Sequence, residues 1–199
     1  MTKKTAISRA SSLLRIFFIA LWLSVIVSGI GVYLLYPDEF TALKIADFLL
    51  RFQGEIWIGY LAMSVLRGFT LLPSTPLIIA GTVLFPTQPF AVLTVSIIGI
   101  LLSSSMIYFF SDILGFSDYF ENHKPDLTHR IKTRLEHPAG FAFVALWAFF
   151  PFAPTDLVCY VAGATRMSFP KFIGAVFAGE MILCIFYIFF GNYLLNLGR

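Results

Sequence analysis

Four charged side chains stand inside otherwise apolar sequence: Arg67, Asp156, Arg166 and Glu180. An ionised group near the middle of a bilayer costs about 2.5–3.5 kcal/mol on insertion scales, so each needs a partner or a cavity. Arg67 and Arg166 can bind the phosphate of an anionic headgroup, because a guanidinium presents a fixed fork of donors. Asp156 and Glu180 can take up and release a proton, and Asp156 is the stronger candidate of the two. Each residue also has a plainer use. Arg67 can pair with Asp156 or Glu180, and Arg166 can reach toward the interface on its long stem. Asp156 can accept donors from broken backbone, and Glu180 can serve as a hydrogen-bonded helix contact.

The backbone around Asp156 is what makes it unusual. Phe149-Phe-Pro-Phe-Ala-Pro-Thr-Asp-Leu-Val-Cys-Tyr-Val-Ala-Gly163 is apolar throughout, yet Pro151 and Pro154 interrupt any helix through it. A proline removes a backbone donor and clashes with the preceding turn. In lipid such a break is tolerated only where protein or a water-filled cavity satisfies the freed groups. The same device occurs upstream, where Leu72-Pro-Ser-Thr-Pro-Leu77 follows Arg67 and Gly81 comes soon after. The predicted hairpins lie near residues 67–85 and 141–166, broken at Pro73, Pro76 and Gly81 and at Pro151, Pro154 and Gly163.

The elements that must position these residues are membrane elements. The chain is 58% hydrophobic and 13% charged, with mean hydropathy +0.85, far more apolar than a soluble domain. Uncharged runs extend over Ile16–Tyr36, Gly68–Ser111 and Met181–Gly198. Each reaches the roughly 18–20 residues needed to span a bilayer. The first run is too long for the apolar core of a signal peptide and ends without a small-residue cleavage site, so it reads as an uncleaved span. Lys3, Lys4, Arg9 and Arg15 precede it while Asp38 and Glu39 follow, which places the N-terminus in the cytoplasm. Residues 1–55 then form an N-terminal anchor and an amphipathic interfacial helix, and 56–199 the main membrane domain. Further spans are expected at 89–110 and from about Pro170 to Leu195. Gly99 and Ser103-Ser-Ser in one, and Gly174-x-x-x-Ala178 and Ala175-x-x-x-Gly179 in the other, provide faces for close helix contact.

Residues 111–140 form the one extensive polar loop. Leu127, Ile131 and Leu135 recur every four residues behind Asp126, which predicts a short amphipathic helix with Asp126 as its N-cap. All three histidines, His123, His129 and His137, lie here at spacings that match no compact zinc pattern, so neither a metal nor another cofactor is expected. Cys159 and Cys184 sit in apolar sequence and read as small packing residues. No H-E-x-x-H and no G-x-S-x-G is present, which argues against an enzyme. A net charge of +3 without a basic face argues against nucleic acid as a partner.

The two interrupted regions share an order of features. Pro73-Ser-Thr-Pro76 and Pro151-Phe-Ala-Pro154 are each followed by Ala-Gly, at 80–81 and 162–163. Pro89-Phe90 and Phe169-Pro170 open the next spans, followed by Gly99 and Gly179, then Phe109 and Phe189. The gap between the P-x-x-P and the Ala-Gly differs by four residues between the copies. With the first span running outward, the hairpins enter from opposite sides of the membrane. The expected fold is therefore an all-α integral membrane protein with two opposed re-entrant helical hairpins forming an inverted repeat and a binding site at their interface.

Ala162-Gly-Ala-Thr-Arg-Met-Ser-Phe-Pro-Lys-Phe172 is similar to the A-G-x-x-x-M-x-x-x-x-F signature of the DedA superfamily. Pro151-Phe-Ala-Pro-Thr-Asp-Leu-Val-Cys-Tyr-Val-Ala-Gly163 resembles more closely the VTT-domain branch, also labelled SNARE-associated Golgi protein. The resemblance covers roughly residues 60–192. It implies opposed re-entrant hairpins and movement of lipids between leaflets, as flippase or scramblase. The substrates it implies are a polyprenyl-phosphate carrier or phospholipids, with proton coupling proposed, in a bacterial inner membrane. Arg166 matches the arginine that commonly follows the Ala-Gly. The chain departs from the DedA pattern at Ala148, where an arginine is expected, and near Pro154–Thr155, where a second is absent. Pro73-Ser74-Thr75 also lacks the acid of the first hairpin.

Two function classes follow. One is a lipid transporter whose partners are membrane lipids with anionic headgroups. The other is a membrane scaffold recruiting partners through its cytoplasmic loop, and transport of a small soluble solute stays open beside them, as does a homo-oligomer. The intramembrane charges favour the transporter, since a scaffold has no need of them.

Overall fold

The computed structural model describes residues 2–151 and 153–191. Among them there are helices and connections but no strands. Ten α-helices follow in order: α1 (Thr2–Leu35), α2 (Ala42–Leu50), α3 (Ile56–Leu66), α4 (Thr75–Leu84), α5 (Pro89–Ile113), α6 (Phe116–His123), α7 (Pro125–Glu136), α8 (Pro138–Phe149), α9 (Thr155–Ala164) and α10 (Phe169–Ile185). A π-helical turn, Phe186–Phe190, prolongs α10. The side chains of Lys3, Lys4, Arg9 and Arg15, on which the expected orientation rests, lie outside the described residues. So do Phe152 of the second break and the predicted end of the last span at Leu195.

Prolines set many of the boundaries. Pro89, Pro125 and Pro138 open α5, α7 and α8, and Pro76 and Pro170 fall at the second position of α4 and α10. There the missing N–H would have been unsatisfied in any case. The polar region thus becomes two helices rather than one. Lys124, not Asp126, occupies the cap position of α7, and Asp126 sits in the first turn, where its charge complements the helix dipole. Residues 37–55 also condense further than the sequence indicates. Ile45, Ala46 and Leu49 of α2 are buried, and α2 packs against α4 rather than lying alone at an interface.

Two helices are long and apolar enough to cross a membrane, Pro89–Ile113 and Phe169–Phe190, each with mean hydropathy 2.2. In α5 the buried stripe holds small and polar groups, Ser96, Gly99, Ser103, Ser104 and Ser111, among aliphatics. The opposite stripe exposes Ile98, Leu102, Met106, Phe109 and Ile113. Apolar outside with small residues at the contacts is the pattern of a helix solvated by lipid.

The remaining helices are arranged around these two. α3 runs beside α5 in the same direction: the Tyr60 hydroxyl meets Ser96 Oγ at 2.6 Å, Gly99 faces Ser64, and Gly68 faces Ser103. α8 runs beside α10 in the same direction, with Phe141 against Gly174 and Ala145 and Ala148 against Gly179. A Cβ on Gly179 would stand 2.2 Å from the Ala145 carbonyl oxygen, so only glycine permits this approach. Phe90 and Phe189 pack edge to face at 5.3 Å, which sets α5 and α10 antiparallel. The α3–α4 and α8–α9 units therefore start from opposite ends of the α5–α10 pair. Their breaks meet midway.

Candidate functional site

The charged residues gather where the breaks meet. α3 ends in a 3-10 segment, Arg67–Thr70, followed by Leu71 in the left-handed region at φ 58°. That turn is closed from within: Thr70 Oγ1 donates to the Arg67 carbonyl at 2.7 Å, and Arg67 Nη1 donates to the Leu72 carbonyl at 3.2 Å. The same Nη1 stands 3.4 Å from Asp156 Oδ2. The Arg67 side chain is 10% exposed and that of Asp156 2%. Gly68 makes this meeting possible, since a Cβ there would lie 1.8 Å from Ser103 Oγ and 3.0 Å from Asp156 Oδ1.

The second break is satisfied by one side chain and by the first turn of the helix that follows. Trp147 Nε1 donates to the Pro154 carbonyl at 3.2 Å, and the Leu157 amide reaches the same oxygen at 3.1 Å. α9 then restarts at Thr155, which places Thr155 and Asp156 in its first turn. Thr155 Oγ1 donates to Glu180 Oε1 at 2.6 Å, joining the third charge to the cluster. Glu180 is fully buried, and its Oε2 has no hydrogen-bond partner among the described residues. Ser103 Oγ shares that condition. Buried oxygens of this kind are rare, because an unmade hydrogen bond in low dielectric is costly.

A cavity of about 270 Å³ opens beside the cluster. Arg67, Pro73, Pro151, Pro154 and Thr155 form its walls on the side of the breaks, and Ile30, Tyr33 and Leu34 of α1 close the other side. α1 is held by few contacts. Gly29 lies against Thr70, and Trp22 Nε1 donates to the Tyr160 hydroxyl at 2.6 Å. A group reaching the cavity meets one guanidinium, a threonine hydroxyl and the ends of two helices. The arrangement suits an anionic group better than a metal ion, and no group of three or more metal-ligating side chains occurs among the described residues.

Arg166 is placed elsewhere. It ends α9 in a Schellman arrangement, with the Met167 amide on the Ala162 carbonyl and the Arg166 amide on the Gly163 carbonyl, both at 3.0 Å. Its own φ of 50° is the value usually taken by glycine. The guanidinium meets Asp112, Asp118 and Glu121 at 3.1–3.3 Å, and these partners hold its charge. The structure thus brings together Arg67, Asp156 and Glu180 and leaves Arg166 apart. Cys159 and Cys184 are buried and free. Pro73, Pro76, Pro151 and Pro154 all fall at the two breaks, whereas Gly81 and Gly163 lie within α4 and α9 as close-packing positions against Tyr60 and Tyr108.

Thr155, Gly68 and Tyr33 were not singled out from the sequence. A signal existed for the first two, since Thr155 adjoins the intramembrane acid and Gly68 adjoins the intramembrane arginine. Tyr33 carries none, being one aromatic in an apolar helix.

Comparison with known proteins adds one finding. The VTT-domain family model matches residues 72–193, which takes in both proline pairs, Asp156, Arg166 and Glu180, while Arg67 and α1–α3 precede it. No curated protein and no solved structure matches the chain. With a match over most of its length and apolar helices on either side of a polar cluster, the chain belongs to the VTT-domain family of integral membrane proteins.

Proposed function

We propose that the protein carries a lipid, a phospholipid or a polyprenyl phosphate, between the two leaflets. In this reading α3–α4 and α8–α9 are re-entrant hairpins entering from opposite faces as an inverted repeat. The matched roles of Gly99 against α3 and Gly179 against α8 support it. The observation that carries the proposal is the Arg67–Asp156 pair, buried where two helix breaks meet in a lipid-solvated protein. A charge pair at that depth is costly to maintain for architecture alone. The headgroup phosphate would displace Asp156 from Arg67 while the acyl chains stay in lipid. The work is binding and conformational change, with no covalent chemistry.

Proton coupling is part of this reading, and Glu180 is better placed for it than Asp156. Asp156 already has Arg67 as partner, whereas Glu180 Oε2 has none. In this reading the N-terminus is cytoplasmic, on the charge asymmetry about the first span, and the membrane is a bacterial inner membrane, on the resemblance to bacterial members of the family. Arg166 then acts at the cytoplasmic surface, where it receives headgroups only if its carboxylates release it. A scaffold would leave the central cluster without a use. Vesicles containing only this protein and a fluorescent short-chain phospholipid test the proposal. Label should move between leaflets faster than in protein-free vesicles, and movement no faster than in protein-free vesicles, for every phospholipid and for polyprenyl phosphate, would remove the transport reading.

A further inference from the structure

A second cavity, about 400 Å³, lies between α1, α2, α3 and α4. It is shaped mostly by segments that precede the matched domain, so it is a feature of this chain's N-terminal extension. Its charged lining is Lys44, Arg51 and Arg67 with Glu39 and Asp47. Lys44 is weakly engaged, 3.4 Å from Glu39 with both side chains more than half exposed. Arg51 and Asp47 have no ion-pair partner among the described residues. Tyr33, Arg67, Leu72 and Pro73 line this cavity and also the one at the helix breaks. These four residues form a partition between two adjoining spaces. The Arg67 bond to the Leu72 carbonyl holds that partition in place.

We propose that this cavity is a docking station for a singly anionic, phosphate-bearing lipid headgroup, occupied before or after the site at the breaks. Lys44 and Arg51 stand against Glu39 and Asp47, and Arg67 shares its charge with Asp156, so the lining offers cationic donors to a singly charged phosphodiester but no excess charge for a doubly charged phosphate. The volume falls within the range of small-ligand sites. Lys44 lies on the amphipathic α2 and Arg51 caps its C-terminal end, and the exposed apolar residues Leu43, Phe48 and Leu50 of α2 leave acyl chains in contact with lipid. Arg67 lines both spaces, so a phosphate leaving the first cavity meets the Arg67 guanidinium on entering the second. The sequence of stations rests on the transport reading, but occupancy of this one does not.

The test is equilibrium binding of dihexanoyl phosphatidylglycerol to the full-length protein in detergent, with inorganic phosphate as the second probe. K44Q/R51Q should bind the short-chain lipid about tenfold more weakly, the size of one charge-assisted hydrogen bond. The control K124Q/R130Q, on the exposed face of α7 and its cap, should bind as wild type does. Unchanged affinity in K44Q/R51Q would overturn the proposal. Displacement of the lipid by inorganic phosphate at equal concentration would also overturn it, reassigning the cavity to free phosphate. Binding with these properties in a protein that moves no lipid would refute transport and leave the station standing.

Discussion

Arg67 and Asp156 are 89 positions apart and meet with Nη1 3.4 Å from Oδ2, one at each of two helix breaks. Both side chains are nearly excluded from solvent. Removing one member of such a pair leaves the other charge buried and uncompensated, at about 3–5 kcal/mol. R67Q and D156N should therefore each lower the thermal unfolding temperature in detergent. The double variant R67Q/D156N should recover most of that loss, because no unpaired charge remains. Additive losses in the double variant would show that the two residues do not act as a pair.

Glu180 separates coupling from packing. E180Q keeps the shape of the side chain and its bond from Thr155 while removing the titrating oxygen. The account expects E180Q to flatten the pH dependence of lipid movement more completely than D156N does. Transport rate against pH in reconstituted vesicles measures this. A wild-type pH profile in E180Q would make Glu180 a structural acid.

α1 is the wall through which a lipid chain would join the cavity at the breaks. A Cβ placed on Gly29 stands 3.2 Å from that of Thr70, a little inside the roughly 3.5–4.5 Å of a disulfide. With Cys159 and Cys184 replaced, the pair G29C/T70C should form a cross-link under mild oxidation. Lipid movement should stop when the cross-link forms and return on reduction. Full activity in the oxidised protein would show that α1 need not part from Thr70.

Arg166 offers a test that isolates backbone strain. R166A and R166G both lose the three carboxylate contacts, but only glycine takes φ 50° without steric penalty. R166G should be more stable than R166A by about 1 kcal/mol in thermal unfolding. Equal stabilities would mean that the helix end rearranges once the side chain is gone.

The charges and breaks of this site were legible because they are anomalies: Asp156, Glu180 and Arg67 interrupt hydrocarbon, and prolines interrupt helices. Pairing was not legible. Arg67 had two candidate acids, and the choice of Asp156 depends on Gly68 lying against Ser103, a tertiary fact. Arg166 looked like a substrate ligand because its carboxylates are 45–54 positions away, one in the last turn of α5 and two on α6. The four-residue spacing of Leu127, Ile131 and Leu135 located α7 correctly. Pro125 then moved its start, so Asp126 falls inside the helix rather than at its cap. The π-helical turn at Phe186–Phe190 left no mark in a run that is uniformly apolar.

The central claim is that the buried pair at the meeting of the breaks handles the headgroup. It is tested most directly with R67Q/D156N in vesicles containing only this protein, once the double variant has been shown to fold and insert. The measurement is the rate at which a fluorescent short-chain phospholipid becomes accessible from the outer leaflet. The account predicts wild-type movement well above protein-free vesicles and movement by R67Q/D156N at the protein-free rate. Wild-type movement in the double variant would contradict it.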